Sequence, residues 1–222
     1  MPRLTEKYRP NTLDDVVGQP PVMLLKRLVA DPYPCSLLLE GPPGCGKTAA
    51  AYAMANDLGC ADDFSGLMTV IASELSIANA RELFEGANGS PGPLRLRPFQ
   101  GRGWHVLVIE ELEKLHAQCE TYLKVALETR MPIKCLVVAT SNDSSKLSRA
   151  LLERFRRYEF SAGPEFARAA CNRLCAIWHA EAGGRTMPQS MTTWGWNDDQ
   201  FSMRRAIEQM QNLLELTEVR VA

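Results

Sequence analysis

The chain has 222 residues, of which 45% are hydrophobic, and its 25 basic and 26 acidic side chains leave a formal net charge of −1. A chain of this size can bury one substantial core and a small second unit. The balanced charge excludes a generally basic nucleic-acid-binding protein, so any DNA contact must come from local patches. No apolar run is long enough to cross a membrane, and the polar N-terminus does not resemble a secretory signal. We therefore expect an intracellular protein, cytoplasmic or, in a eukaryote, nuclear.

Short apolar runs alternate with helical patterns through the first 160 residues. The predicted strands are 36–40, 67–72, 106–109, 135–139 and 156–160, and the predicted helices are 49–58, 79–85 and 116–128. This alternation predicts a five-stranded parallel sheet with helices on both faces. Strand signals stop after residue 161, and helical patterns follow at 164–182 and 201–216. We therefore predict an α/β core over residues 1–160 and a small all-helical domain over residues 161–222.

The clearest motif is GPPGCGKT, which lies between the first predicted strand and its helix and matches G-x-x-x-x-G-K-[ST]. Glycines allow backbone N–H groups to converge on an anion, and the helix directs its positive end at the same point. The lysine of this pattern reaches the β- and γ-phosphates, and the hydroxyl binds Mg²⁺. A chance glycine-rich turn is the alternative, but the strand and helix on either side favour a phosphate loop. The motif predicts that Thr48 binds Mg²⁺ and that ATP binds Gly41, Pro42, Pro43, Gly44, Cys45, Gly46, Lys47 and Thr48.

Two carboxylates follow the predicted strand 106–109. Consecutive residues of an extended strand point to opposite sides, so one carboxylate is expected to face the metal and the other the attacking water. We assign Glu110 to Mg²⁺ and Glu111 to the role of general base. A solvated pair of acids at a strand end is the alternative.

A polar residue also follows the next predicted strand, 135–139. Asn142 lies where a side chain would reach the space between the phosphate loop and the carboxylates. It is a candidate for hydrogen bonding to the γ-phosphate or the attacking water. Taken alone, an asparagine in this position is more often a turn residue.

Further blocks of sequence resemble the small subunits of replication factor C, the AAA+ ATPases that load sliding clamps. They occur in the family's order and extend over nearly the whole chain. The matching blocks are EKYRP at 6–10, TLDDVVGQ at 12–19, NDSSKL at 142–147, LERF at 152–155 and MRRAI at 203–207.

The resemblance implies roles for individual residues. Thr48 and Glu110 match the magnesium side, Glu111 the catalytic glutamate and Asn142 the sensor that follows the fourth strand. Arg154 matches an arginine that reaches the ATP site of a neighbouring subunit, and Arg204 matches one that touches the γ-phosphate of its own subunit's ATP. The segment around the adenine is matched by Tyr8, Arg9, Pro10, Val16 and Val17.

Three departures from the family stand out. Glu110 occupies a position where the family usually has aspartate, and only Arg154 remains of a Ser-Arg-Cys motif. The family chain continues into a helical collar that holds a pentamer together, whereas this sequence ends at residue 222. We therefore expect a clamp-loader-like chain that lacks the collar domain.

Three functions stay open at this point. The first is an ATPase that assembles with like or related AAA+ subunits in a ring or arc, binds primer–template DNA and loads a sliding clamp. The second is another DNA-associated AAA+ machine, of the branch-migration or mobile-element type. The third is a nucleotide-dependent structural subunit with weak hydrolysis. The loop 86–103 contributes Arg95, Arg97 and Arg102, which are expected either to lie along DNA or to be solvated.

Overall fold

The computed structural model describes residues 3–62, 65–98 and 101–219. Within these ranges the chain forms eight helices and seven strands. In chain order they are α1 (Leu4–Lys7), α2 (Val22–Ala30), β1 (Cys35–Glu40), α3 (Lys47–Asp57), β2 (Leu67–Ile71), α4 (Ile77–Glu85), β3 (His105–Glu110), α5 (Ala117–Thr129), β4 (Cys135–Ser141), α6 (Arg149–Leu152), β5 (Arg156–Glu159), α7 (Pro164–Glu181), β6 (Trp196–Asn197), β7 (Gln200–Phe201) and α8 (Met203–Val219).

The first five strands form one parallel sheet in the order β2-β3-β4-β1-β5. This confirms the predicted five-stranded parallel sheet. The first strand lies at an interior position, between β4 and β5. In parallel strands all carboxyl ends meet at one edge, which is where ligands bind in open α/β sheets. The segments that follow β1, β3 and β4 therefore lie side by side.

Both faces of the sheet are covered, and successive residues of one strand belong to different hydrophobic clusters. Leu37 and Leu39 pack with residues of α2, α3, α7 and α8. Leu38 packs on the other face with residues of α4, α5 and α6. Strands buried on both faces have no polar side to alternate with. This explains why the interior strands appear in the sequence as unbroken apolar runs.

The C-terminal segment, residues 161–219, is mainly α7 and α8, and its apolar side chains pack on the face of the sheet that carries α3. Trp178 and Trp194 are both buried, with ring centroids 6.2 Å apart. The segment also contains the two-residue strands β6 and β7, which the sequence reading did not include. They are too short for a period-two pattern to be recognised. The domain boundary between residues 160 and 161 stays a prediction.

In the described ranges, no helix combines the length and apolar character that crossing a bilayer requires. The seven cysteines are all free, and four of them, Cys45, Cys60, Cys119 and Cys135, are buried. Burial raises the pKa of the Cys135 thiol to about 12, so this thiol stays protonated. These thiols act as small core residues.

Candidate nucleotide-binding site

The phosphate loop leaves the sheet directly after β1. Gly41 donates its backbone N–H to the Ser141 carbonyl at the end of β4, at 3.2 Å. Its φ is 148°, and a Cβ added there would lie 2.2 Å from the carbonyl oxygen of Phe160. Only glycine avoids that clash. The packing around this position therefore requires glycine, independently of any ligand.

Lys47 is the first residue of α3, and its ammonium group is held inside the loop. The Nζ atom donates to the carbonyls of Gly41 and Pro42, at 2.6 and 2.7 Å, and to Asn142 Oδ1, at 3.0 Å. Burial of the side chain lowers the pKa of this ammonium group. Phosphate oxygens are stronger partners for a buried cation than neutral carbonyls. The lysine is therefore poised to exchange its internal acceptors for an anion.

A cleft of about 530 Å³ opens in front of the loop. It brings together residues that lie far apart in the sequence, and most of the predicted site residues line it. Those lining it are Tyr8, Arg9, Pro10, Val16, Val17, Pro43, Gly44, Cys45, Gly46, Lys47, Thr48, Glu110, Glu111, Asn142 and Arg204. Gly41 and Pro42 are not in the lining but bind Lys47 through their carbonyls. The roles assigned to these residues stay predictions.

Glu110 and Glu111 both line the cleft, but not through the alternation predicted for an extended strand. That argument is wrong at Glu111, because β3 ends at Glu110 and Glu111 has left-handed backbone angles, φ 57° and ψ 50°. Such angles cost a non-glycine residue on the order of 1–3 kcal/mol and tend to occur at functional sites. Glu111 accepts a hydrogen bond from Lys114 Nζ at 2.7 Å. The turn, not strand pleating, gives the two carboxylates different surroundings.

A third carboxylate, which sequence reasoning missed, holds Asn142. Glu113 Oε1 accepts from the backbone N–H of Asn142 at 3.2 Å and from its side-chain Nδ2 at 3.0 Å. Because the amide oxygen of Asn142 accepts from Lys47, this side chain links a carboxylate to the phosphate loop. In the sequence, Glu113 belongs to a run of acids with Glu110 and Glu111. It lies beyond the end of β3, so strand periodicity could not predict its position.

The C-terminal segment docks directly on the phosphate loop. Met203, at the start of α8, donates its N–H to the Gly44 carbonyl at 3.1 Å, and the next residue, Arg204, lines the cleft. Gln19 also connects the phosphate loop to the start of the C-terminal segment. Its buried amide donates to the carbonyls of Cys45 and Ser161, both at 2.9 Å, and accepts from the Ser161 N–H at 2.9 Å.

The N-terminal segment forms another wall of the cleft. Tyr8 lines it and donates its hydroxyl to Glu181 at the end of α7, where Lys7 also binds, at 2.6 Å. The guanidinium of Arg9 lies 4.2 Å from the ring centroid of Tyr52, a residue of α3 that also lines the cleft. Sequence reasoning missed Tyr52, although it is the one aromatic residue in the alanine-rich sequence of α3.

Arg154 does not join these residues. It follows α6 and forms an ion pair with Glu128 of α5, with 2.7 Å between Nη2 and Oε2, and it is not among the residues that line the cleft. About a third of its side chain is exposed, 34%. The predicted role in a neighbouring subunit's site requires a position of this kind, and a role in its own cleft is not supported.

The residues predicted for magnesium fit the ion by their chemistry. Thr48 and Glu110 both line the cleft and offer a hydroxyl and a carboxylate, the hard oxygen donors that Mg²⁺ prefers. Magnesium bound with a nucleotide usually takes only one or two protein ligands and completes its shell with phosphates and water. Within the described ranges, no group of three or more His, Cys, Asp or Glu side chains is placed to hold a metal by itself.

Comparison with solved structures supports the fold. Structures of Thermotoga maritima RuvB match with TM-scores near 0.70, including the Holliday junction branch migration motor at 0.69. That match covers 97% of this chain and 68% of the motor at 20% sequence identity. At this identity, the likeness shows the fold alone.

Comparison by sequence identifies the family. The model of the ATPase family associated with various cellular activities (AAA) matches residues 37–162. Curated relatives include replication factor C small subunits of Methanosarcina acetivorans, 32% identical over 68% of this chain and 45% of the relative, and of Thermofilum pendens, 26% identical over 93% and 61%. The chain thus spans about half the length of the curated relatives it matches. It belongs to the AAA family of ATPases and is clamp-loader-like in sequence.

Proposed function

We propose that the chain binds and hydrolyses ATP as one subunit of a clamp-loader-like ring or arc that loads a sliding clamp onto primer–template DNA. The observation that carries the proposal is the cleft, in which Lys47, Asn142 and Arg204 converge from three distant parts of the sequence. The relatives named replication factor C small subunit and replication factor C subunit 3 support a role as one subunit of such an assembly.

In this proposal, the triphosphate lies on the phosphate loop and the adenine packs against the N-terminal segment. Lys47 and Arg204 neutralise charge that develops on the phosphoryl oxygens, and Asn142 orients the attacking water. Glu111 takes the proton of that water as general base. Thr48 and Glu110 would hold magnesium, which would supply positive charge to offset that of the phosphates.

The second half of the site comes from a neighbouring subunit in this proposal. The Arg154 guanidinium lies outside its own cleft and pairs with an exposed glutamate, so moving it to a phosphate would break only one weak ion pair. A planar guanidinium suits the charge that builds up in phosphoryl transfer. Oligomers should therefore strengthen with ATP, because a ligand that binds the assembled form more tightly than the separate subunits favours assembly.

Mixing two inactive variants tests this arrangement. Lys47→Ala lacks the phosphate contact and Arg154→Ala lacks the arginine, so each chain alone should have little ATPase activity. A mixed interface pairs the intact loop of the second chain with the intact arginine of the first, and part of the activity should return. Native mass spectrometry checks that mixed oligomers form. If they form and stay inactive, Arg154 is not an arginine that acts in trans.

A second candidate is a nucleotide-dependent structural subunit. It is favoured by Glu110, which stands where clamp loaders usually have aspartate. Steady-state ATPase assays with and without primed DNA separate the two candidates, since a structural subunit should hydrolyse ATP weakly in both conditions. Co-purification with a ring-shaped clamp then distinguishes clamp loading from another DNA-associated AAA+ machine.

The arginines of the loop 86–103 do not contribute equally to a proposed DNA contact. Arg95 donates to the carbonyl of Phe84 at 2.6 Å and to that of Arg130 at 3.2 Å. Its guanidinium therefore stabilises the loop and the end of α5. The proposal of a DNA contact keeps only Arg97 and Arg102 of this loop.

A further inference from the structure

The residue Tyr52 connects the helix of the phosphate loop to the predicted metal carboxylate. It lies on α3, among alanines that pack against the sheet, and its side chain lines the cleft. Its hydroxyl lies 2.9 Å from Glu110 Oε1 and 3.2 Å from the hydroxyl oxygen of Thr69.

The direction of these two hydrogen bonds follows from the groups involved. A tyrosine hydroxyl has one proton, and an ionised carboxylate can only accept. Tyr52 therefore donates to Glu110, and the Thr69 hydroxyl is free to donate to the Tyr52 oxygen.

The ring of Tyr52 also has a cationic neighbour. The guanidinium carbon of Arg9 lies 4.2 Å from the ring centroid, within the range of a cation–π interaction. Arg9 thus contacts Tyr52 and Tyr52 contacts Glu110, so a chain of contacts joins the N-terminal segment to the end of β3. All three line the same cavity.

We propose that Tyr52 is a positioning residue that orients Glu110 toward the magnesium of a bound nucleotide, an inference that rests on the proposed function. Glutamate has one more rotatable bond than aspartate, so its carboxylate has more orientations to lose when it binds a metal. The Tyr52 hydroxyl holds one carboxylate oxygen and leaves the other for the ion. Partners of this kind orient metal ligands, and their loss typically weakens metal binding about 10-fold to 100-fold.

The test is the Tyr52→Phe variant, which keeps the ring and its contact with Arg9 but removes the hydroxyl. A fluorescent ATP analogue is bound to the chain in EDTA and then titrated with Mg²⁺. We expect metal-free affinity for the analogue to change by less than about twofold, and the Mg²⁺ concentration at half-saturation to rise about 10-fold to 100-fold. Thr69→Val is the matched control: it removes the other hydroxyl neighbour and should leave the Mg²⁺ titration near that of the wild type.

A second background separates positioning from a general structural effect. Glu110→Asp draws the carboxylate back from Tyr52 by one methylene. If Tyr52 acts through Glu110, Tyr52→Phe should then change Mg²⁺ binding by less than about twofold in the aspartate background. An equal loss in both backgrounds, or none in the wild-type background, overturns the inference. A wild-type chain that binds no nucleotide in EDTA or in Mg²⁺ overturns the proposed function instead.

Discussion

The cleft and the surroundings of Arg154 differ in how completely one chain builds them. In the cleft, Lys47 and Asn142 are fixed by hydrogen bonds to the loop and to Glu113, and Met203 anchors the helix that carries Arg204. Arg154 has a single ion pair to a carboxylate that is 55% exposed. The cleft, whose side chains are already held in place, is expected to act within one subunit. The region around Arg154 is expected to need a partner subunit for its function.

The largest expected effect is that of Lys47→Ala. It removes the cation that the loop carbonyls and the Asn142 amide oxygen hold, so ATP affinity should fall strongly and turnover should disappear, with the fold retained. Calorimetric titration with ATP and a thermal melt measure the two properties. Lys134→Ala, which changes an exposed lysine at the base of the sheet, is the matched control. Near-normal hydrolysis by a folded Lys47→Ala chain contradicts the phosphate-loop assignment.

Next is Glu111→Gln, which keeps the shape of the side chain but cannot take a proton. Hydrolysis in the assembled protein should slow by about 10²-fold to 10⁴-fold, while ATP and Mg²⁺ stay bound. Single-turnover assays separate the slow chemical step from binding.

The control for this variant is Glu159→Gln, at the exposed end of β5, which should leave the rate unchanged. If Glu110→Gln is instead the slower variant and still binds Mg²⁺ normally, the two carboxylates have exchanged roles.

A smaller effect concerns the wall formed by the N-terminal segment. Hydrogen bonds from Lys7 and Tyr8 lower the pKa of the Glu181 carboxyl. A carboxyl with a depressed pKa contributes stability above its unfolded pKa of about 4.3, and that contribution is lost as the pH falls through the folded value. Glu181→Gln should therefore lower the Tm at pH 7, and the difference in Tm between variant and wild type should disappear below about pH 4. A difference that is the same at both pH values would count against this account.

The smallest expected effect is that of Arg154→Ala on an isolated subunit. Its ion pair is exposed and worth on the order of 0–1 kcal/mol, so the Tm and the ATP affinity of the monomer should be nearly unchanged. Arg149→Ala, on the helix that precedes Arg154 and 93% exposed, is the control. The two variants should differ only in the assembled state, where Arg154→Ala alone reduces ATPase activity. A large loss of ATP affinity in the monomer would place Arg154 in its own subunit's site after all.

The sequence was sufficient to predict the parallel sheet and most of the cleft lining, because local patterns carry that information. A lysine and a threonine after a glycine-rich loop, or two acids after an apolar run, are positioned by the strands that precede them. Tyr52 and Glu113 were missed because their roles depend on contacts with residues 58 and 29 positions away. The left-handed turn at Glu111 was missed for a related reason, since nothing in its side chain favours those backbone angles.

The Gln19 amide bears on how the chain folds. Its hydrogen bonds join residues 26 and 142 positions apart, so they form only after the N-terminal segment, the phosphate loop and the end of the sheet have met. Closing such long loops costs entropy and slows folding. We expect the Ser161 amide, which Gln19 holds, to gain protection late in a pulsed hydrogen-exchange experiment, after the amides of β1 and β4. The cleft would then be the last part of the molecule to mature, and nucleotide present during refolding would act on the final step alone.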